Sequence, residues 1–254
     1  MTLQAILVDF NGTIINDEPL HEQLLQDVLL SENLRPDPNE FREVCLGRSD
    51  RASLRELLGR RGRVVDNDYL DRLVARKSQA YLARLEQLPQ LPIYPGVAEF
   101  CQRVRAMGLP MAIVTGAVLV EVETVLERAG LRSFFSAIVS TTDQQLPSKP
   151  APDGYLYAVD RLRALTPLTD LQPQQCLAIE DTYAGIDAAR AAGMQVVGVA
   201  TTYPFQVIHR RANWAVDFLS ALDLDRVQRF FSGREREEPV NDATMSDTLI
   251  VSGN

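Results

Sequence analysis

The 254-residue sequence has few cysteines and no long apolar runs, and both shortages exclude classes of function. Its three cysteines, Cys45, Cys101 and Cys176, are odd in number and lack metal-ligand spacing, which is typical of buried free thiols in a reducing compartment. No apolar run is long enough to span a membrane, and the N-terminus lacks the basic-then-apolar pattern of a signal peptide. We therefore expect a cytoplasmic protein with no membrane partner.

The sequence also lacks an excess of positive charge, since its formal net charge is −8. A nucleic-acid-binding protein normally has a basic face, so we expect no nucleic-acid partner. A small anionic substrate is still compatible with this charge, because a local pocket can oppose the net sign. Of the 26 basic residues only Lys77 and Lys149 are lysines. Each is present either by chance or because the site needs a compact ammonium rather than a planar guanidinium.

Short apolar runs alternate with helical patterns over most of the chain. Continuous β-branched runs such as MAIVT are typical of strands covered on both faces, and the alternation predicts an α/β domain with a parallel sheet. The predicted strands span residues 3–8, 110–114, 134–140, 175–180 and 195–199. The predicted helices between them span residues 96–107, 118–129, 152–164 and 183–192.

The alternation is interrupted after the first strand, where amphipathic patterns predict several helices and no strand. We predict that residues 15–94 form an all-helical insert, and that residues 1–14 and 95–231 form the α/β core. Residues 232–254 are polar and turn-rich, so we expect a flexible C-terminal tail there.

Polar side chains follow four of the predicted strands. They are Asp9, Thr115 with Gly116, Lys149, and Glu180 with Asp181. In an open parallel sheet, ligands bind outside the carboxyl ends of the strands, so these residues are expected to lie close together. The first motif, ILVDFNGTIIND, is also open to a purely structural interpretation, because Asn-Gly between apolar runs is the strongest short hairpin signal.

Together these residue types indicate phosphoryl transfer. Acids at two strand ends can hold Mg²⁺, which takes oxygen ligands, and a hydroxyl, a backbone N–H and an ammonium can bind phosphate oxygens. A carboxylate that faces phosphorus can attack it and form an aspartyl-phosphate. The metal ion and the lysine would neutralise the charge on the transferring group.

Several segments resemble, in order and spacing, the motifs of the haloacid dehalogenase superfamily over about residues 3–230. They are DFNGT at 9–13, VTGA at 114–117, SKPAPDGY at 148–155 and IEDTYAGIDAARAAGM at 179–194. The helical insert resembles the cap domain of the subgroup that holds β-phosphoglucomutase and phosphoglycolate phosphatase. Within it, DEPLH at 17–21 and LGRSDRASLRELL at 46–58 resemble the cap entry and the specificity loop.

This resemblance implies a Rossmann-like parallel-sheet core with an inserted all-helical cap domain, and a Mg²⁺-dependent phosphatase acting on a small phosphorylated metabolite through an aspartyl-phosphate. Asp9 is then the nucleophile and a metal ligand. The backbone carbonyl of Asn11 also binds the metal ion, together with Asp181 and, directly or through water, Glu180. Lys149 steadies both Asp9 and the phosphoryl group.

The resemblance also implies which residues bind substrate. Thr115, Gly116 and Ala117 bind the phosphoryl group, while three residues of the specificity loop reach from the cap toward the substrate, namely Arg48, Ser49 and Arg51. For the two arginines, an exposed cap face is an equally weighted alternative. His21 is expected to orient the hinge, with a general-base role as the minor alternative.

Asn11 departs from the family pattern, because the phosphatases carry Asp at this position. That acid protonates the leaving oxygen and then activates water, whereas Asn cannot exchange a proton. General acid–base catalysis contributes ~10²–10⁴-fold, so hydrolysis of the aspartyl-phosphate is expected to be slow. We expect Asn11→Asp to raise hydrolysis of p-nitrophenyl phosphate at least about tenfold.

Asn11 is compatible with more than a slow phosphatase. The substitution is either natural or engineered to trap a complex. A second alternative is a catalytically weak or inactive phosphometabolite-binding protein. A third is phosphonate cleavage, which needs a Schiff-base lysine in the cap, and the insert contains only Lys77, far along the chain from the specificity loop.

Overall fold

Six parallel strands form one sheet in the computed structural model, which describes residues 1–234. The strands are β1 (Ala5–Val8), β2 (Met111–Thr115), β3 (Phe135–Ser140), β4 (Cys176–Glu180), β5 (Gln195–Val199) and β6 (Trp214–Val216). Their order is β3-β2-β1-β4-β5-β6, the order of a doubly wound Rossmann-like sheet. The predicted fold class is therefore confirmed.

Helices cover both faces of this sheet and connect its strands. Those of the core are α4 (Val97–Ala106), α5 (Leu119–Arg128), α6 (Asp153–Leu165), α7 (Tyr183–Ala191), α8 (Phe205–His209) and α9 (Leu224–Phe231). Every residue of β1, β2 and β4 is buried, and two separate hydrophobic clusters lie on the two faces. Burial on both faces explains why these strands have continuous rather than alternating apolar sequences.

Three α-helices precede α4 and contribute no strand to the sheet. They are α1 (Glu18–Ser31), α2 (Asp50–Gly59) and α3 (Asn67–Glu86), with a π-helical turn over Phe41–Cys45. They share a hydrophobic cluster of their own, which includes Leu25, Leu54 and Leu70, whereas Tyr81 and Leu85 of α3 pack into the cluster of the sheet. This separation supports our proposal that residues 15–94 form a helical cap domain with the boundaries given above.

The chain leaves β1 through a tight turn that Gly12 makes possible. Gly12 has φ +76°, and a Cβ there would lie 2.0 Å from Oδ2 of Asp181. Only glycine combines this backbone conformation with so close an approach. Beyond the turn, Ile15 pairs with Asn11 on one side and with Ile93 on the other, so the two connections to the helical insert run side by side.

The sequence patterns did not predict β6. This strand has three residues, all of them partly exposed at the edge of the sheet, so it lacks the apolar run that marks the other strands. Among residues 1–234, no helix combines the length and the apolar composition needed to cross a membrane. Most of the predicted tail, residues 235–254, lies outside the described residues.

Candidate active site

Lys149 joins two carboxylates at the carboxyl edge of the sheet. Its Nζ donates hydrogen bonds to Oδ1 of Asp9 and Oε1 of Glu180, both at 2.5 Å, and to the carbonyl of Val114 at 3.0 Å. All three charged side chains are buried. They meet because β1 and β4 are neighbours that end at the same edge, and the loop after β3 brings Lys149 to that edge, as the sequence motifs predicted.

Burial dominates the electrostatics of this cluster. It raises the pKa of Asp9 to about 7, against the opposing effect of the Lys149 ammonium, and the neighbouring Glu180 carboxylate raises it further. Burial also opposes the charged form of Lys149, but Asp9 and Glu180 outweigh it and hold the lysine pKa above its ordinary value. The Lys149 ammonium therefore does not fully offset the effect of burial on the pKa of Asp9, and a bound cation would favour the ionised carboxylate.

Asp181 supplies a third carboxylate to the same edge. Carboxylate oxygens of Asp9, Glu180 and Asp181 all lie within 4.8 Å of one another, and all three residues are buried. Burial and the surrounding carboxylates, Asp9 first among them, raise the pKa of Asp181. Hard oxygen ligands are those that Mg²⁺ prefers, and a divalent cation would remove the mutual repulsion, so the residues present fit a magnesium ion.

The loop after β2 packs directly against the helical insert. The Thr115 hydroxyl accepts a hydrogen bond from the backbone N–H of Ala117 at 3.0 Å. A Cβ on Gly116 would lie 2.7 Å from Cα of Ser49, so a larger residue would push the two parts of the molecule apart. The backbone N–H of Ser49 donates to the hydroxyl of Ser148 at 2.8 Å, beside Lys149 in the chain.

A pocket lies between the core and the insert, and together with the open solvent at its mouth it occupies about 560 Å³. It brings together most of the predicted site residues: Asp9, Asn11, His21, Arg48, Thr115, Gly116 and Ala117. Its other lining residues include Leu25, Phe41, Glu18 and Asp50. Lys149 and Glu180 lie buried beneath its floor, next to Asp9.

The two arginines predicted to reach the substrate from the cap lie in different surroundings. Arg48 lines the pocket, while Arg51 turns to α3, where it forms an ion pair with Asp71 and donates to Asn67 at 3.2 Å. The difference follows from helix geometry, because Arg48 precedes α2 and Arg51 lies in its first turn. Arg51 therefore does not line the pocket, and its surroundings match the alternative of a cap face rather than a substrate contact.

The comparisons with known proteins agree with this geometry. A family model described as haloacid dehalogenase-like hydrolase matches residues 3–193. This chain is a haloacid dehalogenase-like hydrolase. The predicted superfamily and the predicted hydrolase class are therefore confirmed.

Three similar proteins show how far the likeness extends. Protein CbbY of Rhodobacter capsulatus is 30% identical over 228 residues, which cover 87% of this chain and 96% of that protein. Fructose-1-phosphate phosphatase YqaB of Escherichia coli K12 is 30% identical over 200 residues, covering 77% and 95% respectively. The structure of β-phosphoglucomutase from Clostridium difficile has a TM-score of 0.77 at 22% identity, covers 91% of this chain and 98% of its own, and shows the shared fold.

Asn11 of this hydrolase faces a buried carboxylate that the sequence motifs did not single out. Its Nδ2 donates to both oxygens of Asp17 at 3.1 Å, and Asp17 also accepts from the Tyr81 hydroxyl at 2.5 Å. Burial alone would raise the pKa of Asp17, but His21 and these hydrogen bonds hold it below the ordinary value. A signal was present in the sequence, since Asp17 stands four residues before His21, one helical turn away.

His21 is held on both sides of its ring. Nε2 lies 3.3 Å from Asp17 and 3.1 Å from Nδ2 of Asn11, while Nδ1 lies 2.5 Å from Nζ of Lys77. The ring also stacks on Tyr81, with centroids 4.7 Å apart. Because both nitrogens have partners, these contacts fit the predicted orienting role of His21 better than the general-base role.

A second buried cluster surrounds Lys77. Its Nζ donates to Oδ2 of Asp50 at 2.6 Å, and ligand-type atoms of His21, Asp50 and Glu121 lie within 4.8 Å of one another. Neither carboxylate oxygen of Glu121 has a hydrogen-bond partner among residues 1–234, although the residue is fully buried. Lys77 therefore lies close to the specificity loop in space, despite its distance along the chain. No periodic pattern marks this cluster, because its members come from four helices.

Proposed function

We propose that this hydrolase is a Mg²⁺-dependent phosphatase of small phosphate monoesters that works through an aspartyl-phosphate on Asp9. The observation that carries the proposal is the ammonium of Lys149 held between Asp9 and Glu180 beneath the pocket. Asp181 extends this pair to a triad of carboxylates suited to a divalent cation. The phosphatase name of the Escherichia coli relative supports the same reaction class.

The remaining roles follow from the contacts. Lys149 holds one oxygen of Asp9, which leaves the other for attack on phosphorus as the bond to the leaving oxygen breaks. Asp9, Asp181, the carbonyl of Asn11 and, directly or through water, Glu180 would hold Mg²⁺, which supplies neutralising charge at the phosphoryl group. Thr115, Gly116 and Ala117 would bind the phosphoryl oxygens.

The helical insert would bind the rest of the substrate. Arg48 contributes a positive charge to the pocket, and Ser49 fixes the insert against the core through its bond to Ser148. Closure over the pocket would exclude water during transfer. Candidate substrates are phosphoglycolate and small sugar phosphates, among them fructose 1-phosphate, the substrate in the name of one relative.

The second half-reaction is expected to be slow, because Asn11 cannot take a proton from the attacking water. With a good leaving group such as p-nitrophenolate, the first half-reaction needs no acid. We therefore expect a burst of p-nitrophenol close to one equivalent of enzyme, followed by slow turnover. Intact-protein mass spectrometry should detect one added phosphoryl group during the slow phase. Peptide mapping should locate this group on the peptide that contains Asp9.

Controls separate this proposal from its alternatives. Asp9→Asn and chelation of Mg²⁺ should each abolish the burst. Absence of a burst and of turnover in the unsubstituted protein, with intact binding of phosphometabolites, would favour a binding protein instead. A phosphonate hydrolase is disfavoured because Lys77 donates to Asp50, whose carboxylate helps to raise the lysine pKa against burial, and a Schiff base needs a neutral amine.

A further inference from the structure

The buried carboxylate of Asp17 contacts three side chains, those of Asn11, Tyr81 and His21. Both oxygens accept from Nδ2 of Asn11, at 3.1 Å each, and Oδ2 also accepts from the Tyr81 hydroxyl. Asp17 is 3% exposed and does not line the pocket, whereas Asn11 does. The pair therefore places its negative charge behind the pocket and an amide at its wall.

These contacts orient the amide of Asn11. Nδ2 is its donor end, and a carboxylate accepts hydrogen bonds without donating any, so the opposite orientation would set Oδ1 against the oxygens of Asp17. This leaves Oδ1, the side chain's acceptor, for a ligand in the pocket. There it can orient the hydroxyl of a leaving group or of an attacking water, although it cannot take the proton.

A carboxylate at position 11 would be repelled by Asp17 rather than held by it. Asp has the same shape as Asn, so its second oxygen would replace Nδ2 about 3.1 Å from both oxygens of Asp17. Two buried carboxylates at this separation repel each other, and Asp17 would lose two of its hydrogen bonds. Tyr81 and His21 already occupy the other side of Asp17, so it has little room to turn away.

We propose that Asp17 is a positioning residue that requires asparagine at position 11 and fixes its amide with Oδ1 toward the substrate. Asn11 and Asp17 then form a matched pair, and acid–base catalysis can be gained only if both residues are substituted. The consequence for rates depends on the phosphatase function proposed above, whereas the pairing itself does not. Asn11→Asp alone is therefore a poorer test of the missing acid than the sequence indicated.

A double-mutant cycle tests the pairing. The variants are Asn11→Asp, Asp17→Asn and the combination of both, which exchanges the two side chains and conserves composition and net charge. In the combination, the introduced amide at position 17 can donate to the new carboxylate, and its oxygen can accept from Tyr81. We expect Asn11→Asp to lower Tm by about 5 °C or more, and the combination to return it to within about 2 °C of the unsubstituted protein.

Rates with p-nitrophenyl phosphate and Mg²⁺ give the second measurement. The combination should turn over at least about tenfold faster than the unsubstituted protein, because its carboxylate now lies at the pocket wall. Asn11→Asp should gain clearly less, and Asp17→Asn should lower kcat more than it changes KM. The matched control is Asn16→Asp, which adds a carboxylate at an exposed neighbour and should change neither Tm nor rate by much.

The outcomes separate the pairing from the phosphatase function. If Asn11→Asp keeps the Tm of the unsubstituted protein and equals the combination in rate, Asp17 does not restrict position 11 and the proposal is wrong. If the Tm values show the expected coupling while no variant hydrolyses any phosphate ester, the pairing is supported and the phosphatase function is not.

Discussion

The only two lysines of this chain lie in two buried clusters that differ in how well their charges are paired. Lys149 bonds to two carboxylates and a backbone carbonyl at the floor of the pocket. Lys77 bonds to Asp50 and to a ring nitrogen of His21, beside a carboxylate, Glu121, that has no hydrogen-bond partner among the described residues. All other Lys and Arg positions hold arginine, whereas both of these hold a compact ammonium paired with buried carboxylates.

This difference in charge pairing indicates that the two clusters have different roles. The Lys149 cluster lies beneath the pocket, and its mutually repelling carboxylates suit a divalent cation that can bind and dissociate. The Lys77 cluster joins α1, α2, α3 and α5, so it connects the helical insert to the core. Its ammonium lies between Nδ1 of His21 and Oδ2 of Asp50 and occupies the space that a metal ion held by these two atoms would need. We therefore expect the first cluster to act in phosphoryl transfer and the second to act in stability.

The largest expected effect is loss of phosphoryl transfer on removal of the first lysine. Lys149→Met should lower the rate of the p-nitrophenol burst by about 10³-fold, or about 4 kcal/mol of barrier, because a buried charge that faces the phosphoryl group is lost. Rapid-quench or stopped-flow kinetics at saturating Mg²⁺ measure it, with circular dichroism to establish folding. A folded variant with a burst within tenfold of the original would contradict the role of Lys149.

The second lysine should act on stability instead. Lys77→Met leaves Asp50 buried and unpaired, so the free energy of unfolding in urea should fall by about 3 kcal/mol. The burst rate should change less than tenfold, in contrast to Lys149→Met. The matched control is Lys77→Met combined with Asp50→Asn, which should recover most of the loss. If the combination is as unstable as the single variant, the ion pair is not the source of the effect.

The next largest effect concerns Mg²⁺, which should bind to the first cluster and not to the second. Binding to the folded state alone stabilises it by about 2.7 kcal/mol at a concentration 100 times Kd, which appears as a rise in Tm. Asp181→Asn should remove this rise, because it takes a carboxylate from the first cluster. Glu121→Gln, the isosteric change in the second cluster, should keep it. A rise that depends on Glu121 and not on Asp181 would reverse the assignment of the metal site.

The same comparison explains what could be predicted from the sequence. Asp9, Lys149 and Glu180 each follow a strand whose apolar run is visible, and parallel strands bring their carboxyl ends to one edge. The order of the core elements and the first cluster followed from that rule. The edge strand β6 was missed because three partly exposed residues carry no run.

The second cluster had no equivalent rule. Lys77, Asp50 and Glu121 come from helices whose relative rotation depends on how the insert packs on the core, and no spacing in the sequence encodes it. Asp17 was also missed, although its distance of four residues from His21 is a sequence signal that places both on one helical face. Its contact with Asn11 still required the turn at Gly12, which brings position 11 back toward the start of α1.

The smallest expected effect is a gain in stability from Glu121→Gln. Burial, with the Asp50 carboxylate, raises the pKa of Glu121 above 4.5, although Lys77 and His21 oppose the shift. A carboxyl group whose pKa is higher in the folded state lowers stability as pH rises through that pKa. The reason is that the unfolded chain ionises freely in water, whereas the folded state must hold the charge in a buried place. Gln has the same shape and no charge, so the variant should gain about 1–2 kcal/mol at pH 8 and little at pH 5.

Urea unfolding at both pH values measures the difference, and Glu127→Gln, an exposed change on the same helix, should show no such dependence. An equal gain at the two pH values would mean that the ionisation of Glu121 is not what weakens the second cluster.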